Sequence, residues 1–171
     1  MRRHVVLVGL PGSGKSSAGK AAAESLGADL IDIDSLLVRE MGMPVVQIFG
    51  MVGEPRFREM ERAAVKTAQA RDPCVIVPGG GWAAQPGELD GAKATSLIIY
   101  LECQPSTAAK RSGEGEVRPL LTGTDPQQRM RALLQERERF YLQAHHRVGA
   151  EATIEAVAGE IVELSRRHAG W

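Results

Sequence analysis

Residues Gly9-Leu10-Pro11-Gly12-Ser13-Gly14-Lys15-Ser16 match the pattern GxxxxGK[ST], whose chemistry is the capture of phosphate. Glycines let consecutive backbone N–H groups converge on phosphate oxygens, and a helix N-terminus adds the positive end of its dipole. The Lys15 ammonium then reaches the outer phosphates, while the Ser16 hydroxyl is a ligand for Mg²⁺. Gly12, Ser13, Gly14, Lys15, Ser16 and Ser17 are therefore expected to hold a nucleotide. An apolar stretch precedes the motif and an Ala-rich one follows it, which separates it from an ordinary glycine-rich turn with an exposed lysine.

A magnesium nucleotide also needs an acidic neighbour. Motor and transport ATPases place one at the end of a later hydrophobic strand, but Val75-Ile76-Val77-Pro78 runs into Gly79-Gly80-Gly81 without an acid. Asp32 and Asp34 are the best placed alternatives. They close a short predicted strand, where ligands of such folds gather, and a spacing of two in extended chain turns both carboxylates to one face.

The elements that must position these groups alternate between strand and helix. Strands are expected at 4–9, 29–32, 74–78 and 96–101, with a weaker one at 148–154. Helices are expected at 15–26, 35–40, 44–52, 57–71, 105–112, 126–145 and 155–168, and a loop at 113–126. This order predicts a parallel sheet wrapped by helices, within one domain spanning 1–171. The 171 residues are 43% hydrophobic and 25% charged, with 21 basic and 21 acidic side chains. Zero net charge provides no polycationic surface, so no nucleic-acid partner is expected and an anionic ligand must be caught locally. No apolar run approaches the roughly 18 residues of a membrane span, and the stretch before the phosphate motif does not fit a signal peptide, so a cytoplasmic location without membrane association is expected. Cys74 and Cys103 are expected to be buried free thiols, and His4, His145, His146 and His168 to be surface groups.

The ordered set Gly9 to Ser16, Asp32-Ile33-Asp34, Gly53-Glu54-Pro55-Arg56-Phe57-Arg58-Glu59-Met60-Glu61, Gly79-Gly80-Gly81, Arg118-Pro119-Leu120-Leu121, and Arg137 followed by Tyr141 resembles the motifs of shikimate kinases. The resemblance covers about residues 5–145. It implies a three-layer P-loop kinase fold, an α/β architecture with a five-stranded parallel sheet in the order 2-3-1-4-5. It also implies a substrate-binding region at about 34–61, a mobile lid at about 112–124, and transfer of the ATP γ-phosphoryl group to the 3-hydroxyl of shikimate. Arg58 and Arg137 match the arginines that bind the substrate carboxylate, Gly79, Gly80 and Gly81 the backbone contacts to substrate, and Asp34 the hydroxyl-binding acid and base. Arg118 matches the lid arginine on the transferring phosphates, and Arg111 a residue lying against adenine. Asp32 is left to the magnesium shell with Ser16. A carboxylated ring polyol does need fixed cations and one carboxylate at its reacting hydroxyl. Taken alone, Arg58 reads as a solvated helix charge, Arg137 as a snorkelling arginine and Asp34 as a helix cap.

The chain departs from the family pattern at Pro78, at Trp82, which either narrows the pocket or packs behind it, at Gln143, and at 148–158, which lacks a clear proline for the adenine edge. Two rival readings stand beside the main one. A gluconate or other small-polyol kinase also joins a phosphate cradle to a carboxylated polyol, and an inactive nucleotide-binding module would suit Pro78 and Trp82. A monomer acting on a small-molecule substrate is expected.

Overall fold

Apolar runs rich in Val and Ile build the sheet. Strand β1 (His4–Val8) lies at its centre, paired with β3 (Val75–Val77) on one side and β4 (Ser96–Glu102) on the other. All five of its residues are buried, which is why Val5 to Val8 read as an unbroken apolar run rather than an alternation. The outer strands are β2 (Leu30–Asp32), which pairs with β3, and β5 (His146–Gly149), which pairs with β4. Every pairing is parallel and the order is β2-β3-β1-β4-β5, as the resemblance implies. Residues 1–113 and 125–171 are described by this structure, a computed structural model.

Helices flank the sheet. They are α1 (Lys15–Leu26), α2 (Ile33–Met41), α3 (Val45–Val52), α4 (Glu54–Gln69), α5 (Glu88–Ala92), α6 (Pro105–Gly113), α7 (Pro126–Tyr141) and α8 (Ile154–His168). Helices α1 and α8 pack side by side and against the strands, while α6 pairs with α7. Close approach of α1 to the sheet depends on Gly19, where a Cβ would sit 2.9 Å from a Val77 methyl and 3.1 Å from Leu7. Val6, Leu7, Ile98 and Ile99 are each fully or almost fully enclosed, a contribution of about 1.5–3 kcal/mol per side chain. Cys74 and Cys103 are buried free thiols, as expected.

This topology creates a crevice between β1 and β3. From the carboxyl end of β1 the chain turns through α1 to β2, whereas from that of β3 it crosses to β4 on the far side of β1. The loops after β1 and β3 therefore diverge, leaving the gap in which ligands of open parallel sheets bind. Those loops carry the phosphate motif and Gly79 to Gly81.

Several expectations need correction. Asp34 is not in extended chain: β2 ends at Asp32, and Asp34 lies in the first turn of α2. The cap is Asp32, whose carboxylate accepts from the Ser35 N–H at 3.2 Å, so helix begins earlier than the expected 35–40. The expected long helix at 126–145 stops at Tyr141, and β5 starts at His146 rather than 148. Leu142 to His145 have a composition compatible with helix, but strand pairing with β4 claims the following residues. Helix α5 and a 3₁₀ turn at Trp82–Ala84 are additional to the expected elements. His4 is buried rather than at the surface: its Nδ1 accepts from the Cys74 N–H at 3.2 Å, which leaves Nε2–H to donate to Gln69 O at 3.1 Å.

Candidate active site

The phosphate motif folds as a loop that wraps the start of α1. Gly14, at φ 90°, is the helix cap, and Gly12, at φ 80°, has no room for a side chain because a Cβ would collide with Ala108 O in α6. Lys15 is buried and its Nζ donates to Gly9 O and Leu10 O, both at 2.8 Å. These bonds arch the lysine back over the loop it belongs to. Ser16 donates its hydroxyl to Asp32 Oδ2 at the entrance to α1. That pair offers hard oxygen ligands of the kind Mg²⁺ accepts while keeping several waters, so the residues fit the ion that phosphate chemistry calls for.

A cavity of about 500 Å³ opens over this loop. Gly12 to Ser17 form its floor, Asp32 and Asp34 one side, and Gly79 and Gly80 another. Arg111 lies at its margin, with Nη1 donating to Ala150 O at 2.9 Å and Ser13 O at 3.3 Å. Ala150, Ala152, Thr153, Ile154 and Val157, from the segment after β5 and the start of α8, complete its lining. Pro78 also lines the cavity, while Trp82 is wholly enclosed outside its lining: the tryptophan packs behind the pocket and does not narrow it.

Behind Gly79 to Gly81 lies a charged cluster. A Cβ on Gly79 would collide with Glu61 Oε2 and sit 3.3 Å from Asp34 Oδ1. One on Gly80 would lie 3.2 Å from Arg137 Nη1, and one on Gly81 would fall 2.6 Å from the Arg58 guanidinium carbon. Gly79 and Gly81 thus make room for charged side chains, whereas the nearest obstacle at Gly80 is the Pro11 ring, 2.8 Å away. Helix α4 brings in Arg58 and Glu61, which pair at 3.2 Å across one turn, with Glu54 3.7 Å from Arg58 on the outer side. Helix α7 brings in Arg137 and Tyr141 from positions four apart, and the Tyr141 hydroxyl donates to Gly80 O at 2.6 Å. Arg58, Glu61, Arg137 and Tyr141 are all buried. Burial pushes the Glu61 carboxyl up to about 6 against the pull of Arg58, and Asp34 adds to the rise. Burial likewise pushes the Tyr141 phenol up. Arg58 Nε and Glu61 Oε2 are buried without a hydrogen-bond partner among the described residues, an arrangement suited to a polar ligand.

The structure therefore gathers Gly12, Ser13, Gly14, Lys15, Ser16, Ser17, Asp32, Asp34, Gly79, Gly80 and Arg111 around one cavity, with Arg58, Gly81 and Arg137 immediately beside it. Arg118 and nearly all of the expected lid at 112–124 lie outside the described residues. Glu61 and Tyr141 enter the sequence analysis only as members of motifs, and their contacts to Arg58 and Gly80 are new from the structure. The i,i+3 spacing of Arg58 and Glu61 was the available signal.

Residues 11–166 match the shikimate kinase family model. The chain belongs to this family. It is 40% identical over 164 residues to the shikimate kinase of Symbiobacterium thermophilum, covering 94% of each chain. It is 37% identical over 161 residues to that of Caldanaerobacter subterraneus subsp. tengcongensis, again covering 94% of each. Among solved structures, shikimate kinase from Acinetobacter baumannii in complex with shikimate superposes with a TM-score of 0.92 at 28% identity, over 98% of this chain and 94% of that one. Within this family assignment, the cavity and the charged cluster beside it can be given separate tasks.

Proposed function

We propose that this chain transfers the γ-phosphoryl group of ATP to the 3-hydroxyl of shikimate. The observation that carries the reading is the charged cluster behind Gly79 to Gly81, where two buried arginines from different helices meet beside Asp34 at the open side of a phosphate loop. Two fixed guanidinium groups suit a carboxylate, and Asp34 suits a hydroxyl of the same small ring. Arg58 and Arg137 hold the carboxylate, Gly79, Gly80 and Gly81 give substrate close access to backbone, and Asp34 takes the proton of the reacting hydroxyl. The hydroxyl oxygen bonds to the γ-phosphorus as the bond from that phosphorus to the β,γ-bridging oxygen breaks, and ADP leaves. Lys15 and Arg118 neutralise charge on the transferring group, and Arg111 with Gly12 to Ser17 binds the nucleotide. Ser16 and Asp32 would hold Mg²⁺, which would supply charge neutralisation at the phosphates. Positioning and electrostatics supply most of the rate in such a site.

Region 34–61 acts as the substrate-binding part of one domain and 112–124 as its lid. The reading includes a cytoplasmic location, where ATP is available, and action as a monomer, since one chain supplies the whole described cavity. Among the described residues no single helix is long and apolar enough to cross a membrane.

The test is ADP release by the purified protein with MgATP and, in turn, shikimate, gluconate and nucleoside monophosphates. Turnover confined to shikimate is expected. Equal turnover of gluconate would favour the general polyol-kinase reading, and binding of nucleotide without turnover of any acceptor would favour the inactive module.

A further inference from the structure

Helix α6 begins at Pro105 with no acidic residue in its first turn. A helix of this kind commonly satisfies its cap from within, with Glu or Gln at the third helical position reaching back to the N–H of the capping residue. Here the third position is Thr107, and the carboxylate arrives from elsewhere. Glu151 Oε1 accepts from the Gln104 N–H at 2.7 Å, and its Oε2 accepts from the Thr107 hydroxyl at 2.7 Å. Those bonds, the first above all, hold the carboxyl below its ordinary range. Glu151 belongs to the stretch between β5 and α8 that has no helix or strand of its own, and its neighbours Ala150, Ala152 and Thr153 line the cavity.

A second fastening lies one turn further along α6. Arg111 Nη1 donates to Ala150 O, adjoining Glu151, and to Ser13 O in the phosphate loop. Between the two fastenings, Ala108 O packs against Gly12 so closely that no side chain fits there. One helix therefore touches the phosphate loop through Ala108 and Arg111, and the wall after β5 through Thr107 and Arg111. It sets the separation between the part of the cavity that takes phosphates and the part left for the base.

We propose that Glu151 is a positioning residue for nucleotide binding: by capping α6 from the opposite wall, its carboxylate fixes the base end of the cavity relative to the phosphate loop. The proposal rests on reading this cavity as the ATP site, and it adds a residue whose side chain need not touch the nucleotide. Removing the carboxylate leaves the contacts of Gly12 to Ser16 in place and loosens the wall, which then keeps only its Arg111 fastening. Ligands that occupy both ends should suffer, and ligands that occupy the phosphate end alone should not.

The experiment is titration calorimetry of the intact chain with ADP and with pyrophosphate, each with Mg²⁺, for wild type, Glu151→Ala, Glu151→Gln and Thr107→Val. For Glu151→Ala the ADP Kd is expected to rise about five- to tenfold, as befits two exposed hydrogen bonds accepted by a carboxylate, with the pyrophosphate Kd within about twofold. Glu151→Gln keeps an oxygen for the Gln104 N–H and a donor for Thr107, so it should recover most of the loss. Thr107→Val should weaken ADP by about two- to threefold and leave pyrophosphate alone, which decides the matter if Glu151→Ala does not fold. In steady state, Glu151→Ala should raise the KM for ATP without changing that for shikimate. Unchanged ADP affinity in both truncations, or equal weakening of ADP and pyrophosphate, would overturn the positioning role. A wild type that binds ADP normally but leaves shikimate untouched would overturn the substrate assignment alone, and the ADP-to-pyrophosphate comparison would still judge Glu151.

Discussion

Replacing Gly81 by Ala adds one methyl group at the point where the cluster is most crowded. Gly81 has φ −89° and ψ −8°, a conformation alanine adopts freely, so the backbone itself imposes no penalty. The new Cβ would lie 2.6 Å from both Cζ and Nη2 of Arg58 and 2.7 Å from Nη1. Carbon atoms in ordinary contact stand about 3.5–4.0 Å apart, so the guanidinium must retreat by about 1 Å. Its bond to Glu61 at 3.2 Å restrains the retreat, and the enclosure of Arg58 leaves little space behind it. A contact to a charged partner is worth about 1.5–3 kcal/mol, so misplacing Arg58 by that distance should raise the KM for shikimate by about 10- to 150-fold. The nucleotide end should not notice, because Gly81 and Arg58 are not part of the cavity lining. The assay is steady-state ADP release with each substrate varied in turn, alongside Arg58→Ala and the double variant. Gly81→Ala and Arg58→Ala should be far from additive, since both remove one contact. An unchanged KM for shikimate, equal rises for shikimate and ATP, or full additivity would refute the reasoning.

Two further outcomes are expected. Asp34→Asn should lower kcat by about 10²–10⁴, the ordinary worth of a general base, with a smaller change in either KM, and pre-steady-state ADP formation would check it. Retention of more than a tenth of the wild-type kcat would reduce Asp34 to a positioning group. Glu61 predicts a pH dependence of stability: its carboxyl is raised from 4.5 to about 6 in the folded protein, so its contribution is complete below 4.5 and is lost as pH rises through about 6. At 1.36 kcal/mol per pH unit, the unfolding free energy of wild type relative to Glu61→Gln should fall by about 2 kcal/mol between pH 4.5 and 7, measured by urea denaturation. A difference that stays flat with pH would contradict a raised Glu61.

Much of this molecule could be read along the chain because the physics involved is local. The phosphate loop is contiguous, its glycines are needed by neighbouring backbone, and the run Val5 to Val8 announces a strand buried on both faces. Helix α1 was expected and found at Lys15–Leu26, since its Ala-rich interior and the left-handed Gly27 mark it without outside help. Arg58 and Arg137 acquired roles only through a resemblance, because 79 positions separate them and each alone suits an exposed helix.

Tertiary structure decided the rest. Strand β5 is an edge strand of four residues that exists by pairing with β4, so the intrinsic tendencies of Leu142 to Val148 could not reveal it. Asp32, not Asp34, caps α2, a choice made where the chain leaves β2 beside Ser16. Three successive glycines carry no message about which side chains fill the space they leave; packing of α4 and α7 against that loop sends in Glu61, Arg137 and Arg58. Glu151 caps a helix that starts 46 positions earlier in the chain. Local sequence specifies the conformation of a segment and the chemistry it can offer. Burial and the convergence of distant segments determine which of those groups meet, how far their protonation shifts, and whether a charge lies at the surface or faces a substrate.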